Sequence, residues 1–128
     1  MVRVLITTES QYPIDQKVVK KAIFDTLKRC KIKGDYEISV LVAGKKKMLD
    51  LSRKYLKDNS LHEVLAFSQE ESGGSFGKPR DNVLRLGDVV LCWPEVLKCA
   101  SCDGVETDDE VYLLTTHAVL HLLGEHHD

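Results

Sequence analysis

The chain opens with residues that alternate between apolar and polar side chains, as a half-buried strand does. This pattern covers residues 2–7 (VRVLIT) and predicts a first strand. Apolar residues then recur at helical spacing over residues 15–30, which predicts an amphipathic helix. Alternation returns at 36–44 (YEISVLVAG) and predicts a second strand, and helical spacing returns over residues 45 to about 57.

The second half of the chain predicts two more strands and a short helix. Residues 62–67 (HEVLAF) are a short strand candidate, and 83–93 (VLRLGDVVLCW) is a more apolar strand that we expect near the centre of a sheet. Between them, the polar stretch 69–82 is rich in Gly, Ser and charge and predicts an exposed loop. Pro94 suits the first position of a helix that runs to about Ser101.

A final helix is predicted by its start and stop residues. Thr107 followed by Glu110 matches a capping box, and Asp108 and Asp109 suit the positive end of the helix dipole. The helix continues to Gly124, a typical left-handed stop residue. It is apolar nearly all the way round, so we expect it to be the buried central helix.

The order of these elements predicts the fold class. A β-α-β-α-β-β-α-α order fits an α+β (α/β-like) fold with one mixed four-stranded sheet covered by helices. We find no internal repeat and no linker, so residues 1–128 are expected to form a single domain.

Composition places the chain among ordinary globular proteins. Hydrophobic residues make up 43% and charged residues 30% of its 128 residues. No apolar run approaches the ~20 residues of a membrane span, and the first residues lack the features of a signal peptide. We therefore expect a cytoplasmic protein (an organelle is also possible) with no membrane partner.

The net charge of the chain does not indicate a nucleic-acid partner. The net charge is −2, so such a partner would need a local basic patch. Lysines and arginines cluster within residues 45–57, and residues 106–110 form an acidic run. Two solvated faces are the more ordinary explanation of these clusters.

The four cysteines do not form a recognisable framework. Cys99 and Cys102 make a CxxC, but no second pair completes a zinc ribbon, and the motif does not follow the first strand as in thioredoxins. Together with Cys30 and Cys92, they are expected to be buried or half-buried free thiols.

Four of the five histidines fall in the last twelve residues. His117 and His121 are four apart on the predicted last helix and therefore project from the same face. Gly124 can end the helix and let the chain fold His127 back toward that pair. This H-x3-H-x2-G-x2-H pattern predicts a metal site at His117, His121 and His127 on the last buried helix. The less favoured alternative is that these histidines belong to the core and are hydrogen-bonded there.

Three neutral nitrogen ligands suit one Zn²⁺ ion, although another divalent metal is possible. Three protein ligands leave a fourth position for water, as in catalytic zinc sites. His126 is expected to lie outside the ligand set, and Asp128 is close enough to orient a ligand imidazole. Zinc proteases of this spacing carry Glu after the first histidine, and Ala118 stands there, which argues against a metalloprotease.

With these residues, the chain resembles the YbeY family of endoribonucleases, whose hallmark is H-G-x-L-H-L-x-G-[YF]-D-H. The stretch from His117 to His127 keeps the three histidines, two leucines and the glycine, while Ala118, Glu125 and His126 replace family residues. Residues 86–92 (LGDVVLC) are similar to the family's L-G-D-[IL]-V-I-[SC] strand, and residues 62–67 are similar to its T-D-V-L-S-F segment.

The chain also departs from the family pattern. Tyr55 matches the tyrosine of a family Y-R-G stretch, but Leu56 falls on the arginine that is thought to engage RNA. Arg53 or Lys57 is a candidate to supply that charge from a neighbouring turn. The sequence ends directly after the histidine motif, where relatives usually continue, so we expect a divergent member that is short at its C-terminus.

The resemblance implies metal-dependent cleavage of single-stranded RNA in ribosomal RNA maturation, with a ribosomal RNA precursor, the ribosome or ribosomal proteins as partners. Residues 45–57 and 68–82 are expected to guide the RNA by phosphate contacts. No general base stands out, because Glu63, Asp88, Glu125 and the substrate phosphate all remain possible. The alternative function is a ribosome-assembly factor with a structural metal, and a metalloprotease ranks third.

Overall fold

The computed structural model describes residues 1–68 and 84–124 and shows four strands and four α-helices among them. The predicted order of elements is confirmed. The strands are β1 (Val2–Thr8), β2 (Tyr36–Ala43), β3 (Val64–Ser68) and β4 (Leu84–Cys92). The helices are α1 (Gln16–Arg29), α2 (Lys45–Leu51), α3 (Trp93–Asp103) and α4 (Thr107–Leu122).

The four strands form one mixed sheet in the order β1-β2-β4-β3, which confirms the predicted α+β class. β1 and β4 both pair in parallel with β2, and β3 pairs antiparallel with β4 at the edge. The two central strands, β2 and β4, are the most buried, as expected for strands that are covered on both faces.

Helices cover both faces of this sheet. On one face, α1 and α4 pack side by side on a core that includes Ile38, Val89 and Leu91. On the other face, α2 packs Met48 and Leu51 against a smaller cluster. We call the first of these the α1/α4 face. The connection from β1 reverses the chain direction, so α1 ends at the sheet end where β1, β2 and β4 begin. α4 ends at the same end, because its last residue, Leu122, lies against Gly87 near the start of β4.

Local structure differs from the sequence prediction in three places. The helix predicted over residues 45–57 is α-helical only to Leu51 and continues as a π-helical turn over Ser52–Leu56. Lys57, in the left-handed conformation, ends this turn. β3 begins two residues later than predicted. The prediction of a capping box from Thr107 and Glu110 is wrong. The N-cap residue is Glu106, whose side chain makes no capping hydrogen bond, and Glu110 is buried.

The glycine stop is confirmed, since α4 ends at Leu122 and Gly124 has a φ of +81°. Burial of α4 is incomplete: eight of its residues are buried, but Leu113 is 46% exposed and His117 is exposed. The loop predicted over 69–82 lies outside the described residues. Within the described ranges, no helix is both long and apolar enough to cross a membrane.

The four cysteines are free, as predicted, although Cys102 is exposed, which corrects the expected half-buried environment. Burial raises the pKa of the Cys99 thiol, and nearby Glu63 and Glu110 act in the same direction. A thiol of this kind stays protonated, which argues against a redox-active CxxC.

Gly87 lies in close contact with the end of α4. Its φ is +154°, and a Cβ placed there would overlap the carbonyl oxygen of Phe67 and lie 2.6 Å from Cδ2 of Leu122. Only a residue without a side chain allows α4 to lie this close to β4. The absence of a side chain at Gly87 therefore allows the end of α4, which carries His121, to pack close to the sheet.

Gly87→Ala is expected to destabilise the protein by about 1–3 kcal/mol from overpacking alone, with backbone strain in addition. Urea unfolding of both proteins measures the difference. Gly104→Ala is the matched control, because Gly104 also has a positive φ (+69°) but has open space at the Cβ position. If the two variants lose the same free energy, contact with Leu122 is not what requires glycine at position 87.

Candidate functional site

His117 and His121 line one cleft of about 280 Å³ along the edge strand β3. The cleft lies between the two histidines on α4, residues 64–67 of β3, and Leu56 at the end of the π-helical turn. Side chains four apart on a helix lie about 5–6 Å from each other at their Cβ atoms. The structure therefore brings together the two histidines that sequence spacing paired, on a surface open to solvent.

The other predicted ligand, His127, lies outside the described residues, as do His126, Asp128 and Glu125. Among residues 1–68 and 84–124, no group of three or more His, Cys, Asp or Glu side chains is placed to hold a metal ion. The described part of the chain thus contributes two of the three predicted ligands.

Ala118 also lines the cleft, between the two histidines. The catalytic glutamate of a zinc protease would occupy this position, and a methyl group cannot accept a proton. Ala118, the residue that argued against peptide hydrolysis in the sequence, therefore lies in the cleft itself.

Glu110 is a buried carboxyl that sequence reasoning assigned to helix capping. It lies seven residues before His117 on the same helical face, and only 4% of it is exposed. Burial raises its pKa, the neighbouring Asp103 and Glu63 raise it further, and His117 opposes the shift. The seven-residue spacing from His117 was the only sequence signal of this location. Glu110 thus lies in a group of acidic side chains with Asp103 and Glu63, and it also interacts with His117.

Asp88, one of the possible general bases, lies on the sheet face opposite to the histidines. It is 2% exposed and forms an ion pair with Arg85, which also contacts Glu37 at 3.6 Å between Nη1 and Oε2. A register shift in β4 pairs Glu37 with Arg85 and the next β2 residue, Ile38, with Gly87, skipping Leu86. This bulge turns Arg85 and Asp88 to one face, although residues three apart on a regular strand face opposite ways.

Desolvation raises the pKa of Asp88, and the neighbouring Arg85 guanidinium only partly opposes this effect. The residue is therefore a structural carboxyl in a buried charge cluster. Because the sheet separates it from His117 and His121, Asp88 is removed from the list of possible general bases. Glu63, which immediately precedes β3, remains on the cleft side.

The predicted RNA-contacting residues are placed differently from one another. Arg53 donates a hydrogen bond to Oδ1 of Asn59 (3.1 Å) and pairs with Asp50 at 4.0 Å. Lys57 is exposed and directly follows Leu56, which lines the cleft. Lys45 opens α2 at the carboxyl end of β2, which is the end of the sheet away from the end of α4. Of these three basic residues, Lys57 is the one whose neighbour in the chain, Leu56, lines the cleft.

Comparison with known proteins supports this picture. The sequence model of a family described as Endoribonuclease YbeY matches residues 5–128. The chain belongs to the YbeY family. Among similar proteins, Endoribonuclease YbeY of Roseiflexus castenholzii is 30% identical over all of this chain and 80% of its own length. Endoribonuclease YbeY of Salinispora tropica is 34% identical over 95% of this chain and 81% of its own length.

A solved structure supports the fold of this YbeY family member. The solution structure of TM1509 from Thermotoga maritima matches with a TM-score of 0.57 and 20% sequence identity. The match covers 95% of this chain and 71% of TM1509.

The position of Leu56 shows how this YbeY family member departs from the family pattern. Leu56 stands where the resemblance places an arginine, and its side chain lines the histidine cleft while remaining 44% exposed. None of the described residues that line the cleft is Lys or Arg. The described cleft wall therefore offers apolar contact where a guanidinium would offer a positive charge.

Proposed function

We propose that the protein is a metal-dependent endoribonuclease that cuts single-stranded RNA, with one zinc ion held by His117, His121 and His127. Membership of the YbeY family supports the endoribonuclease class, and the relatives carry that name. The single observation that carries the proposal of a metal site is the shared cleft of His117 and His121.

The residues fit a divalent ion of the zinc type. Two imidazoles leave adjacent turns of one rigid helix, and they open onto a cavity large enough for water and a phosphate group. The buried carboxyl of Glu110, which interacts with His117, favours positive charge on that side of the cleft. Gly124, with its positive φ, follows the end of α4, so the helix stops after the second histidine, as a third ligand from the C-terminus requires.

A bound divalent ion would supply Lewis-acid polarisation of a phosphoryl oxygen and lower the pKa of water toward ~7. The protein's own residues position the substrate. The open edge of β3 and the side chain of Leu56 present an apolar wall, against which a nucleotide base can pack. Of the two described carboxylates named from the sequence as possible general bases, Glu63 lies on the cleft side of the sheet and Asp88 does not.

The biological setting belongs to the same proposal. We place the enzyme in ribosomal RNA maturation, with an RNA precursor and the ribosome or its proteins as partners, in the cytoplasm or an organelle. Arg53 and Lys57 were the proposed RNA contacts, and Lys57 is better placed because Arg53 already binds Asn59 and Asp50.

The proposal is tested by metal removal. Purified protein is expected to cleave a labelled single-stranded RNA, to lose that activity after dialysis against a chelator, and to regain it when Zn²⁺ is added back. Gel analysis of the RNA products and elemental analysis of the protein provide the two readouts. Undiminished cleavage by a protein shown to contain no metal would contradict the proposal, and a duplex RNA of the same sequence is the specificity control.

An assembly factor with a structural metal predicts a different result. In that case the wild-type protein does not cleave RNA under any metal condition, while removal of the ion lowers the melting temperature strongly. The names of the relatives favour the enzyme over this alternative and over a metalloprotease.

A further inference from the structure

A second surface on the α1/α4 face combines basic and aromatic side chains. An open groove lies where α1 ends and β1 begins, and it is lined by Val2, Phe24, Lys28, Lys31 and Lys33 among others. Phe24 is 45% exposed, which is unusual for a phenylalanine on a helix surface. We call this surface the α1 groove.

The α1 groove lies in a strongly basic segment of an otherwise acidic chain. Seven lysines and arginines fall within residues 16–33, against a single acidic residue, Asp25. The net charge of the whole chain is −2, so the remainder is strongly acidic. Among the described residues, Lys28, Lys31 and Lys33 form no ion pair, whereas Asp25 is occupied by Lys21 and by the hydroxyl of Tyr112.

The α1 groove and the histidine cleft lie at the same end of the sheet. Val2 begins β1 and lines the groove, and Leu122 at the end of α4 contacts Gly87 near the start of β4. The two helices are packed together, with the Tyr112 hydroxyl donating to Oδ2 of Asp25 at 2.7 Å. The groove lies beside β1 and the cleft beside β3, at opposite edges of the sheet, so an RNA strand must pass over both α1 and α4 to reach from one site to the other. Packed helix axes lie ~8–10 Å apart and each helix is ~10 Å across, so the crossing takes roughly 20–30 Å of strand.

The histidine cleft itself does not supply the charge that an RNA backbone needs. Among the described residues, its wall holds no Lys or Arg, and the acidic side chain of Glu110 interacts with His117. Lysine side chains that neutralise phosphates provide most of the affinity of proteins for single strands. Among the described residues of the α1/α4 face, the α1 groove offers such charge, in Lys28, Lys31 and Lys33.

We infer that the α1 groove is a second RNA-binding site, which holds the substrate strand a few nucleotides away from the position of cleavage. Lys28, Lys31 and Lys33 contact successive phosphates, and Phe24 stacks on one base. This inference rests on the proposed endoribonuclease function. In this chain Leu56 replaces the family arginine, and the inference assigns the missing positive charge to α1.

The test measures RNA binding separately from cleavage. Binding of a ~12-nucleotide and a ~4-nucleotide single-stranded RNA to full-length protein is followed by fluorescence anisotropy at several salt concentrations. The triple variant Lys28→Glu, Lys31→Glu, Lys33→Glu is expected to bind the longer RNA at least tenfold more weakly. Its slope of log K against log salt is expected to fall by about 2, since each phosphate contact contributes ~0.7.

Phe24→Ala is expected to weaken binding of the longer RNA roughly 5- to 100-fold, as loss of one stacked base does. Phe24→Leu keeps an apolar side chain without an aromatic ring, so it should resemble the alanine variant if stacking is the contact. The charge-matched control is Lys45→Glu, Lys46→Glu, Lys47→Glu. These three lysines belong to the segment expected from the sequence to guide RNA, but they begin α2 at the other end of the sheet, away from the groove and the end of α4, so this inference gives them no RNA contact. The ~4-nucleotide RNA, which fits the cleft alone, should bind all variants alike.

Equal losses in the two triple variants would overturn the inference, because net charge alone would then explain them. So would a groove variant that loses binding to anionic lipid vesicles but keeps its affinity for RNA. Circular dichroism of each variant identifies loss of folding, and Phe24→Leu tests the groove without a change of charge. If wild-type protein binds RNA through the α1 groove but never cleaves it, the groove is supported and the endoribonuclease proposal fails.

Discussion

His117→Ala is expected to lower single-stranded RNA cleavage by more than about 100-fold, and His121→Ala is expected to do the same. Both side chains line one cleft from adjacent turns of α4. Each substitution therefore removes one of the two predicted ligands that the described structure contains. Loss of residues that merely support a ligand typically costs 10–100-fold in metal affinity or activity, and loss of a ligand itself should cost more. Elemental analysis and cleavage assays measure the two consequences together.

His62→Ala is the matched control, since it removes the same side chain outside the cleft. His62 binds Oδ2 of Asp58 at 3.0 Å, and it does not line the histidine cleft. We expect its cleavage rate to stay within a few-fold of wild type. A His117→Ala protein that loses its metal but still cleaves RNA at the wild-type rate would show that the ion is not catalytic.

Arg85→Met is expected to destabilise the folded protein by about 3–5 kcal/mol at neutral pH. The Arg85 side chain is 3% exposed and neutralises both Glu37 and Asp88 on the second face of the sheet. Removing one partner of a buried ionic cluster leaves charge without compensation, and this costs far more than the pair itself contributes. Urea denaturation followed by circular dichroism measures the free energy of unfolding.

Arg3→Met provides the control for this prediction. Arg3 contacts the same carboxyl of Glu37 at 3.9 Å, but 39% of its side chain is exposed, so we expect a loss below about 1 kcal/mol. The triple variant Arg85→Met, Glu37→Gln, Asp88→Asn should recover much of the lost stability, because no buried charge remains unpaired. An Arg85→Met protein as stable as Arg3→Met would contradict the buried ionic cluster.

The pH dependence of the same variant follows from Asp88. Burial raises its folded-state pKa above the ordinary 3.8, and Arg85 opposes this shift, so Arg85→Met raises the pKa further. An acid with a raised folded pKa contributes most to stability below its unfolded pKa, and this contribution is lost as the pH rises. The deficit of Arg85→Met is therefore expected to be smaller near pH 4 than at pH 7.

Much of the fold could be predicted from the sequence because its signals are local. Strand alternation, helical periodicity and the glycine after α4 depend on neighbouring residues, and the order of elements and the single mixed sheet were confirmed. The π-helical turn was not predicted, because the spacing of its apolar residues does not distinguish it from an α-helix.

The site was less predictable because it depends on which face each residue occupies. The i, i+4 spacing was sufficient to pair His117 with His121. The face of Asp88 depends on a bulge at Leu86 that no local pattern reveals, so the sequence could not separate Asp88 from Glu63. Glu110 matched a capping box, but its side chain is buried instead, with Asp103 and Glu63 as acidic neighbours, and this tertiary environment leaves no local pattern in the sequence.

The parallel pairing of β2 with β4 has a consequence for the folding rate. β2 spans 36–43 and β4 spans 84–92, so their contacts close a long loop of chain before any energy is gained. β4 must be in place before α4 can dock on Gly87 and turn its histidines toward β3. The α1 groove, in contrast, is made within the first 33 residues. The basic surface can therefore form early in folding, and the histidine cleft is completed only at the end.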